Sequence, residues 1–238
     1  MLSIKSNNSG ESWNLVNLPT DYGSEWASLA WHALAISVHP ENPDIVFIGG
    51  LEVYRSLNGG DTWQNLSDWD LMYYGGGSRY VHADIHSIVF QSNNYDAITI
   101  SSDGGLFNSV NAIDSDPVFY VRNKGYNTLQ FYTCDISPEI FGNSFVGGLQ
   151  DNGTLISGDI NNDNEFDIND MISGGDGAYC FYDDDEPLLI TSTYYNYYFL
   201  FNTENDNYAY ANGNSGVFIN PSAYNSSTNT LYANKVRF

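Results

Sequence analysis

The chain has 238 residues, of which 42% are hydrophobic and 16% aromatic, so it can bury a core the size of one large domain or two small ones. Its 29 acidic and 7 basic residues leave a formal net charge of -22, which excludes nucleic acid and anionic membranes as partners and suits cations or neutral ligands. No apolar run approaches the roughly 20 residues of a membrane helix, so membrane insertion is not expected.

Short alternating strands with turns rich in Gly and Asn recur from one end of the chain to the other. The segments "DIVFIGGLEVYRSLNGGDTW", "AITISSDGGLFNSVN" and "SFVGGLQDNGTLISGD" share one cadence of strand, Gly turn, strand and Ser. The serines Ser6, Ser56, Ser109 and Ser157 fall 50, 53 and 48 residues apart, and each unit is preceded by one more strand. Four strands in such a repeat are the size of a β-propeller blade. The sequence therefore predicts an all-β propeller or partial propeller, with a β-sandwich of regular turns as the alternative.

About five blade units are expected, and they form a single propeller region over residues 1–238. The chain begins at a third strand, "LSIKS", and stops after a second one, "TLYANKV". Either the chain is part of a longer protein with flanking domains, or its last strands pair with its first ones and close a five-bladed ring. The start "MLSIKSNNSG" has no apolar signal-peptide core, so we favour a piece of a longer secreted protein. The expected unit bounds are 1–18 (partial), 31–69, 81–122, 128–172, 176–212 and 216–238 (partial).

Two segments, "SNNSGESW" and "SLNGGDTW", place Ser, Asn, Gly and Trp at matching offsets. Ser and Asn side chains can hydrogen-bond the backbone of a tight hairpin, and Asn and Gly tolerate left-handed backbone. The Trp then falls on the next strand, where it can pack between neighbouring sheets. We expect a folding device on the hairpin between the third and fourth strands of a blade.

These two segments resemble Asp-box (bacterial neuraminidase, BNR) repeats, with Asn8 and Asn58 where the family has Asp. The third and fourth units keep the serine and lose the rest of the box. The order "VHADIHS … SDGGLFNS … GYNTLQFY … GGLQDNGT … GGDG", over roughly residues 35–200, resembles secreted bacterial proteins with sortilin-like or glycosidase-like propellers. The resemblance implies an extracellular or cell-surface propeller and settles no activity.

Alternating strand direction predicts which turns share a face of a propeller. The turn before each innermost strand and the turn between the second and third strands lie together, on what would be the axial face, and the boxes lie on the opposite face. The predicted axial residues are Trp31, His32, His82, Asp84, His86, Asp103, Gln130, Gln150, Asp151, Asn152 and Asp176.

The segment "HADIH" places His82, Asp84 and His86 two residues apart, so their side chains would point the same way on a strand. Two imidazoles and a carboxylate can hold Zn²⁺ or contact a ligand. They can also form a hydrogen-bonded polar lining of the central channel. All three interpretations stay open.

Asp84, Asp103, Asp151 and Asp176 are candidates for a catalytic carboxylate pair, because glycoside hydrolysis needs one acid and one base or nucleophile. "QDNG" and "GGDG" are also ordinary turn sequences. A sialidase is not favoured, because several arginines would have to converge on the substrate carboxylate.

The segment "DINNDNEFDIND" has the ligand spacing of a calcium loop. Its positions 1, 3, 5, 9 and 12 are acidic or amide residues, and a backbone carbonyl would serve at position 7. It resembles dockerin loops, although Asn164 replaces the usual Gly and no amphipathic helix follows. The predicted calcium ligands are Asp159, Asn161, Asp163, Glu165, Asp167 and Asp170, and no organic cofactor is expected.

Two further features are expected to be structural. Tyr194, Tyr195, Tyr197 and Tyr198 in "TYYNYYFLF" should pack between blades. Cys134 and Cys180 fall out of phase on neighbouring strands and should remain free thiols.

The leading functional hypothesis is an extracellular binding module whose axial face engages a glycan or a protein. The first alternative is a glycoside hydrolase that uses the axial carboxylates. The second alternative is a structural segment of a large adhesin-like surface protein.

Overall fold

The computed structural model describes residues 3–20, 25–125, 129–138, 144–158, 167–205, 207–213 and 215–235. The chain divides into two compact units, Met1–Asn127 and Thr128–Phe238. In the described part of the chain, no helix combines the length and apolar character that crossing a membrane requires.

The first unit contains a two-stranded sheet and two four-stranded antiparallel sheets. Strand β1 (Ser3–Lys5) pairs with β2 (Asn14–Val16). The first four-stranded sheet contains β3 (Ala35–Val38), β4 (Val46–Gly49), β5 (Val53–Ser56) and β6 (Gln64–Asn65). The second contains β7 (Ile85–Gln91), β8 (Asn94–Ser102), β9 (Gly105–Ser109) and β10 (Tyr120–Val121). Short 3-10 helices span Glu25–Ala27 and Trp69–Tyr74.

The second unit contains two four-stranded antiparallel sheets and one two-stranded sheet. The first sheet contains β11 (Phe131–Ile136), β12 (Ser144–Leu149), β13 (Thr154–Gly158) and β14 (Asp167–Ser173). The next contains β15 (Cys180–Tyr182), β16 (Leu188–Ser192), β17 (Tyr197–Asn202) and β18 (Tyr208–Asn212). Strands β19 (Ser222–Asn225) and β20 (Thr230–Ala233) form the last pair, with a 3-10 turn at Ser226–Thr228 between them.

Every four-stranded sheet is a meander in which each strand pairs with the next strand along the chain. That topology, repeated four times and flanked by two strand pairs, is the blade architecture of β-propellers. The prediction of an all-β fold made of four-stranded blades is confirmed. Three of the four-stranded sheets lie within the sequence units 31–69, 81–122 and 176–212, and the sheet of β11–β14 ends one residue beyond the unit 128–172, at Ser173.

The core of the first unit lies between its two four-stranded sheets. Strand β4 is buried along its whole length, because both of its faces are covered, and it reads as the continuous apolar run "VFIG". Phe47 of β4 packs with Ile98 and Phe107 of the neighbouring sheet. A Cβ on Gly49 would overlap the side chain of Ile85, so glycine permits the close approach of the two sheets.

Arg55 is fully buried in this unit, and its charge is matched by backbone carbonyls. Its Nη1 donates to the carbonyl oxygens of Ala112, at 2.7 Å, and Asp114, at 2.6 Å. Its Nη2 donates to Oε1 of Gln64 at 2.8 Å. Arg55 therefore ties the β3–β6 sheet to the loop that follows β9. Burial lowers the pKa of the guanidinium from its ordinary value, and the charge of Asp114 opposes that effect.

The core of the second unit lies between the sheets that begin with β11 and β15. Val146, Cys180, Tyr182 and Leu189 form its buried cluster. A Cβ on Gly148 would overlap the carbonyl of Ala178, so this glycine again allows two strands to approach closely. Both cysteines are free, as predicted, with Cys134 exposed and Cys180 buried. Burial raises the pKa of the Cys180 thiol to about 12.

The box hairpins are held by one hydrogen-bond pattern. Ser56 Oγ donates to Asn58 Oδ1 at 2.9 Å and accepts the backbone N–H of Gly60 at 2.8 Å. Asn58 Oδ1 also accepts the N–H of Thr62, while its amide donates to the Thr62 hydroxyl. The first box repeats this pattern with the side chains of Ser6 and Asn8. Side chains thus satisfy the backbone of both turns.

The third repeat retains more of the box than its sequence indicates. Ser109 Oγ donates to Asn111 Oδ1 at 3.1 Å, and that oxygen accepts the N–H of Val118. The expectation that this unit keeps only the serine is wrong, because the Ser–Asn pair survives although the Gly and Trp positions are lost.

Trp63 packs between sheets but is only half-buried. It contacts the cluster of Trp26, Val46, Ile48 and Tyr54, and its Nε1 donates to the carbonyl of Asn17 at 2.9 Å. The indole therefore links the β1–β2 pair to the β3–β6 sheet.

Candidate functional site

The leading end of a sheet is the end at which its first strand begins, and it also carries the turn between the second and third strands. In the first unit this end includes residues 31–34, 50–52, 82–86 and 103–104. The box lies at the other end, where Gly59 N–H donates to the carbonyl of Asp44. In the second unit the leading ends carry residues 150–153, 176–179 and 193–196.

Three chemically active side chains converge at the leading end of the first unit. His86 Nε2 lies 2.5 Å from Asp103 Oδ1, and His32 Nε2 lies 3.6 Å from Asp103 Oδ2. The two imidazole rings meet edge to face at a centroid distance of 4.9 Å. Trp31, which is 83% exposed, flanks His32. Two imidazoles therefore share one carboxylate beside an exposed indole.

The alternation expected for "HADIH" is interrupted at its centre. Strand β7 begins only at Ile85, and Asp84 has a left-handed φ of 64°. A left-handed residue breaks the two-residue period of a strand. His82 is buried against Gly104, where any Cβ would overlap the imidazole, whereas His86 joins Asp103. The inference that these side chains point the same way from one strand is therefore wrong.

Asp84, at the same end of the sheet, has a buried carboxylate oxygen and a raised pKa. Among the described residues, its Oδ1 is a buried atom without a hydrogen-bond partner. Burial raises the pKa of Asp84, the charge of Asp103 adds to the rise, and the nearby imidazoles oppose it. An unpaired oxygen on a residue with strained backbone is expected more often at functional sites than in ordinary packing.

Glu52, in the turn between β4 and β5, is a buried carboxyl that the sequence analysis missed. It is 3% exposed, accepts the Trp69 N–H at 2.9 Å and accepts the Ser67 hydroxyl. Burial raises its pKa to about 7, in spite of these hydrogen bonds and the charge of Arg79. The segment "GGLEVYR" carries no local signal for this burial, which follows from the packing of the 3-10 helix over the turn.

In the second unit, the leading end of the β11–β14 sheet joins Asp151 to Asp176. Asp176 Oδ1 accepts the backbone N–H of Asp151 at 3.2 Å and the Tyr132 hydroxyl at 3.5 Å. Asp151 has a left-handed φ of 58°. The charges of both aspartates contribute to a raised pKa of Tyr132, after the effect of burial.

The neighbouring amide residues shape the same turn through the backbone. Gln150 N–H donates to the Gln130 carbonyl at 3.0 Å, and the Asn152 amide donates to the Gln150 carbonyl at 2.9 Å. Within each unit the structure therefore groups the predicted residues, as His86 with Asp103 and as Asp151 with Asp176.

Two of the tyrosines for which packing between blades is expected, Tyr194 and Tyr195, are instead exposed and contact Phe218. Tyr194 and Phe218 stack with centroids 5.5 Å apart and an interplanar angle of 6°, and Tyr195 meets Phe218 edge to face. The three side chains are 41%, 45% and 43% exposed, respectively. By contrast, Tyr198 is buried and Tyr197 is half-buried. The Asn of "YYN" was the available signal for a turn at this position, because Asn tolerates the left-handed backbone of tight turns.

The predicted calcium loop lies almost entirely outside the described residues. Asp159, Asn161, Asp163 and Glu165 belong to the segment 159–166, for which no structure is described. The backbone of Asp167 and the exposed Asp170 lie on β14. The calcium site therefore remains a prediction.

A groove of about 760 Å³ lies at the box end of the first unit, away from the predicted site. It is lined in part by His39 and Tyr95. His39 Nδ1 accepts the backbone N–H groups of Glu41 and Asn42, both at 3.1 Å, so the imidazole caps a turn.

The repeated meander and the polar leading ends define a blade-repeat β-protein of the propeller type. No family model and no curated protein matches the chain. It is similar to the GH74 enzyme of Niastella koreensis, with 14% identity and a TM-score of 0.42, over 90% of this chain and 38% of that one. It is similar to the GH74 xyloglucanase from Xanthomonas campestris, with 15% identity and a TM-score of 0.38, over 90% of this chain and 34% of that one.

A third similar structure is YCF48 from Cyanidioschyzon merolae, with 12% identity and a TM-score of 0.32, over 95% of this chain and 71% of that one. The chain therefore spans well under half the length of the two GH74 proteins. Likenesses at this level carry no information about the ligand or the chemistry of this chain.

Proposed function

We propose that the protein is an extracellular binding module that holds a neutral glycan at the leading end of its second unit. The observation that carries the proposal is the exposed aromatic platform formed by Tyr194, Tyr195 and Phe218. The C–H face of a sugar ring is apolar and packs on the electron-rich face of an aromatic ring. A protein ligand is the alternative occupant that the experiment distinguishes.

The platform is built on a strained turn. Tyr195 and Asn196 have φ values of 58° and 61°, and Tyr197 N–H donates to the Tyr194 carbonyl. This is the backbone of a tight hairpin with two left-handed residues, where Asn is favoured and Tyr is not. A Tyr in that conformation costs about 1–2 kcal/mol. A strained backbone at an exposed side chain supports a role of Tyr195 in binding.

The strained turn is held from below by a buried amide network. Asn196 is 5% exposed and its amide donates to the Asn234 carbonyl at 2.8 Å. Asn196 Oδ1 accepts the Tyr198 hydroxyl and the Asn220 amide. These bonds leave the turn little freedom, so the aromatic platform is preorganised, and a ligand does not have to order it.

Polar groups suited to sugar hydroxyls adjoin the platform. Gly175, next to Asp176, lies so close that a Cβ there would contact Tyr194 Cε1 at 3.4 Å. Asp176 follows Gly175 in the chain, and its carboxylate accepts the Tyr132 hydroxyl. Carbohydrate and other small-molecule sites combine an apolar surface with a few placed polar groups in this way. The net charge of -22 disfavours acidic glycans and leaves neutral ones.

The test is a panel of neutral and acidic oligosaccharides screened on an array, with positives measured by calorimetry. Phe218→Ala should weaken binding at least tenfold. Tyr195→Asn should do the same and leave unfolding free energy unchanged or higher, because relief of the backbone strain offsets the lost ring contact. Tyr232→Ala is the control, since Tyr232 is 59% exposed on β20, outside the platform.

The proposal fails if no oligosaccharide of the panel binds, or if both platform variants bind as wild type does. Retention of a protein from the secreted fraction by wild type, lost in Tyr195→Asn, would assign the platform to a protein ligand instead.

A second candidate function is glycoside hydrolysis at the leading end of the first unit. It is favoured by the raised pKa of Asp84 beside Asp103, because acid and base roles need carboxyl groups whose environments differ. Release of reducing ends from the same oligosaccharides, abolished by Asp84→Asn, would support it. The absence of any turnover over the panel would leave binding as the function.

A further inference from the structure

We infer that His32, His86 and Asp103 form a binding site for a divalent transition-metal ion of the Zn²⁺ class in the first unit. One ligand atom from each residue lies within 4.8 Å of the other two. This site is separate from the aromatic platform of the second unit, and it stands whether or not a glycan binds there.

The donor set selects the metal. Two imidazole nitrogens and one carboxylate are ligands of intermediate softness, which suit Zn²⁺ and its neighbours better than Ca²⁺ or Mg²⁺. The predicted loop over residues 159–170 is the opposite case, because all of its donors are oxygens. The two sites would therefore take different ions.

The spacing of the donor atoms is close to what a metal needs. Zn²⁺ binds nitrogen and oxygen at about 2.0–2.2 Å, so tetrahedral donors lie about 3.3 Å apart. Asp103 Oδ2 is already 3.6 Å from His32 Nε2. On the other side, Asp103 Oδ1 is 2.5 Å from His86 Nε2, which is a direct hydrogen bond. Small side-chain rotations would admit the ion, and the proton of this hydrogen bond would leave His86 Nε2, so that this nitrogen could bind the metal.

The carboxylate stands on a rigid support. Asp103 is in the tight turn between β8 and β9, and the next residue, Gly104, rests directly on the buried ring of His82. His86 lies on β7, which pairs with β8. The backbone of His32 is fixed by a hydrogen bond from its N–H to the Leu29 carbonyl at 2.7 Å. Ligands on such elements are positioned before the ion arrives.

The surroundings favour a cation and leave room for a further ligand. His32 and His86 side chains are 44% and 33% exposed, so three protein donors leave a coordination position that faces solvent. The unpaired, buried Oδ1 of Asp84 lies on the same strand end as His86. The net charge of -22 raises the local concentration of divalent cations around the whole chain.

The test is a titration of chelator-treated protein with ZnCl₂, followed by NMR of the histidine imidazoles. Millimolar Ca²⁺ is present throughout, so that oxygen-rich sites are occupied. We expect one Zn²⁺ per chain, with the largest shifts at the imidazoles of His32 and His86. The imidazole of His39 is the internal control, because it lies at the box end of the unit, whereas the donors lie at the leading end.

Calorimetry on variants completes the test. His86→Gln and Asp103→Asn should each weaken Zn²⁺ binding at least about a hundredfold, since removal of even an outer-shell partner costs ten- to a hundredfold. Asp185→Asn, an exposed carboxylate of the second unit, should bind as wild type does. The inference is overturned if Zn²⁺ shifts the signals of none of the imidazoles, or shifts the signals of His39 more than those of His32 and His86. It is also overturned if His86→Gln titrates as wild type does.

Discussion

Replacing Glu52 by Gln should remove a pH-dependent loss of stability from this protein. The carboxyl is 3% exposed, and burial raises its pKa from 4.5 to about 7. In the unfolded chain the same group ionises near its ordinary value. Below about pH 4.5 the Glu52 carboxyl is protonated in both the folded and the unfolded state, so its ionisation does not change the free energy of unfolding. Between about pH 4.5 and 7 the folded chain holds a proton that the unfolded chain has released, so the free energy of unfolding falls as pH rises.

The size of the effect follows from the pKa difference. At about 1.4 kcal/mol per pH unit, the folded state is less stable above pH 7 by about 3 kcal/mol than it would be with a neutral group at this position. Gln imitates the protonated form. Its carbonyl can accept the Trp69 N–H, and its amide can donate to the Ser67 hydroxyl, which already accepts the Val53 N–H.

The assay is urea unfolding of both proteins at pH 5 and pH 8. The stability of Glu52→Gln relative to wild type should rise by about 2–3 kcal/mol between the two pH values, because the difference between the proteins cancels all other titrating groups. Glu41→Gln, at an exposed carboxyl in the turn between β3 and β4, should show no such rise. Parallel stability curves for wild type and Glu52→Gln would refute the reasoning.

Two further predictions concern the buried Arg55 side chain and the predicted calcium site. Arg55→Met should lower the free energy of unfolding, measured by urea unfolding, by about 3 kcal/mol, because it leaves the buried carbonyls of Ala112 and Asp114 unpaired. The control is Arg122→Met, at an exposed arginine, which should cost less than about 1 kcal/mol. An equal loss in both variants would contradict a stabilising role of the Arg55 hydrogen bonds. Calcium at one hundred times its dissociation constant should raise stability by about 2.7 kcal/mol. Asp163→Ala should abolish that gain in a melting experiment, and a melting temperature indifferent to chelator would remove the predicted loop from the list of sites.

Local interactions explain why the sequence predicts the blades well. Alternation with a period of two, Gly turns, and Ser–Asn pairs two residues apart all act within one hairpin. The hydrogen bonds of Ser56 and Asn58 reach no further than Thr62. Strand direction then decides which turns share an end of a sheet. The third box shows where recognition from the sequence fails, because the Ser109–Asn111 hydrogen bond persists without the Gly and Trp by which a box is recognised.

The sites needed information that no local pattern contains. A single left-handed residue, Asp84, is enough to separate His82 from His86, and nothing in "HADIH" marks it. The exposure of Tyr195 and the burial of Tyr198 differ because the turn after β16 requires two left-handed residues, which is a property of the hairpin rather than of the tyrosines.

By itself, then, the sequence determined the strand content, the repeat and the end of each sheet on which polar residues gather, because these depend on period and direction. Only the tertiary structure decided that His32 meets Asp103, 71 positions further along the chain, at 3.6 Å. It also decided that Glu52 is buried beneath a 3-10 helix. Distances between elements depend on how closely sheets pack, and that is determined by contacts such as Gly49 on Ile85, which involve residues far apart in sequence.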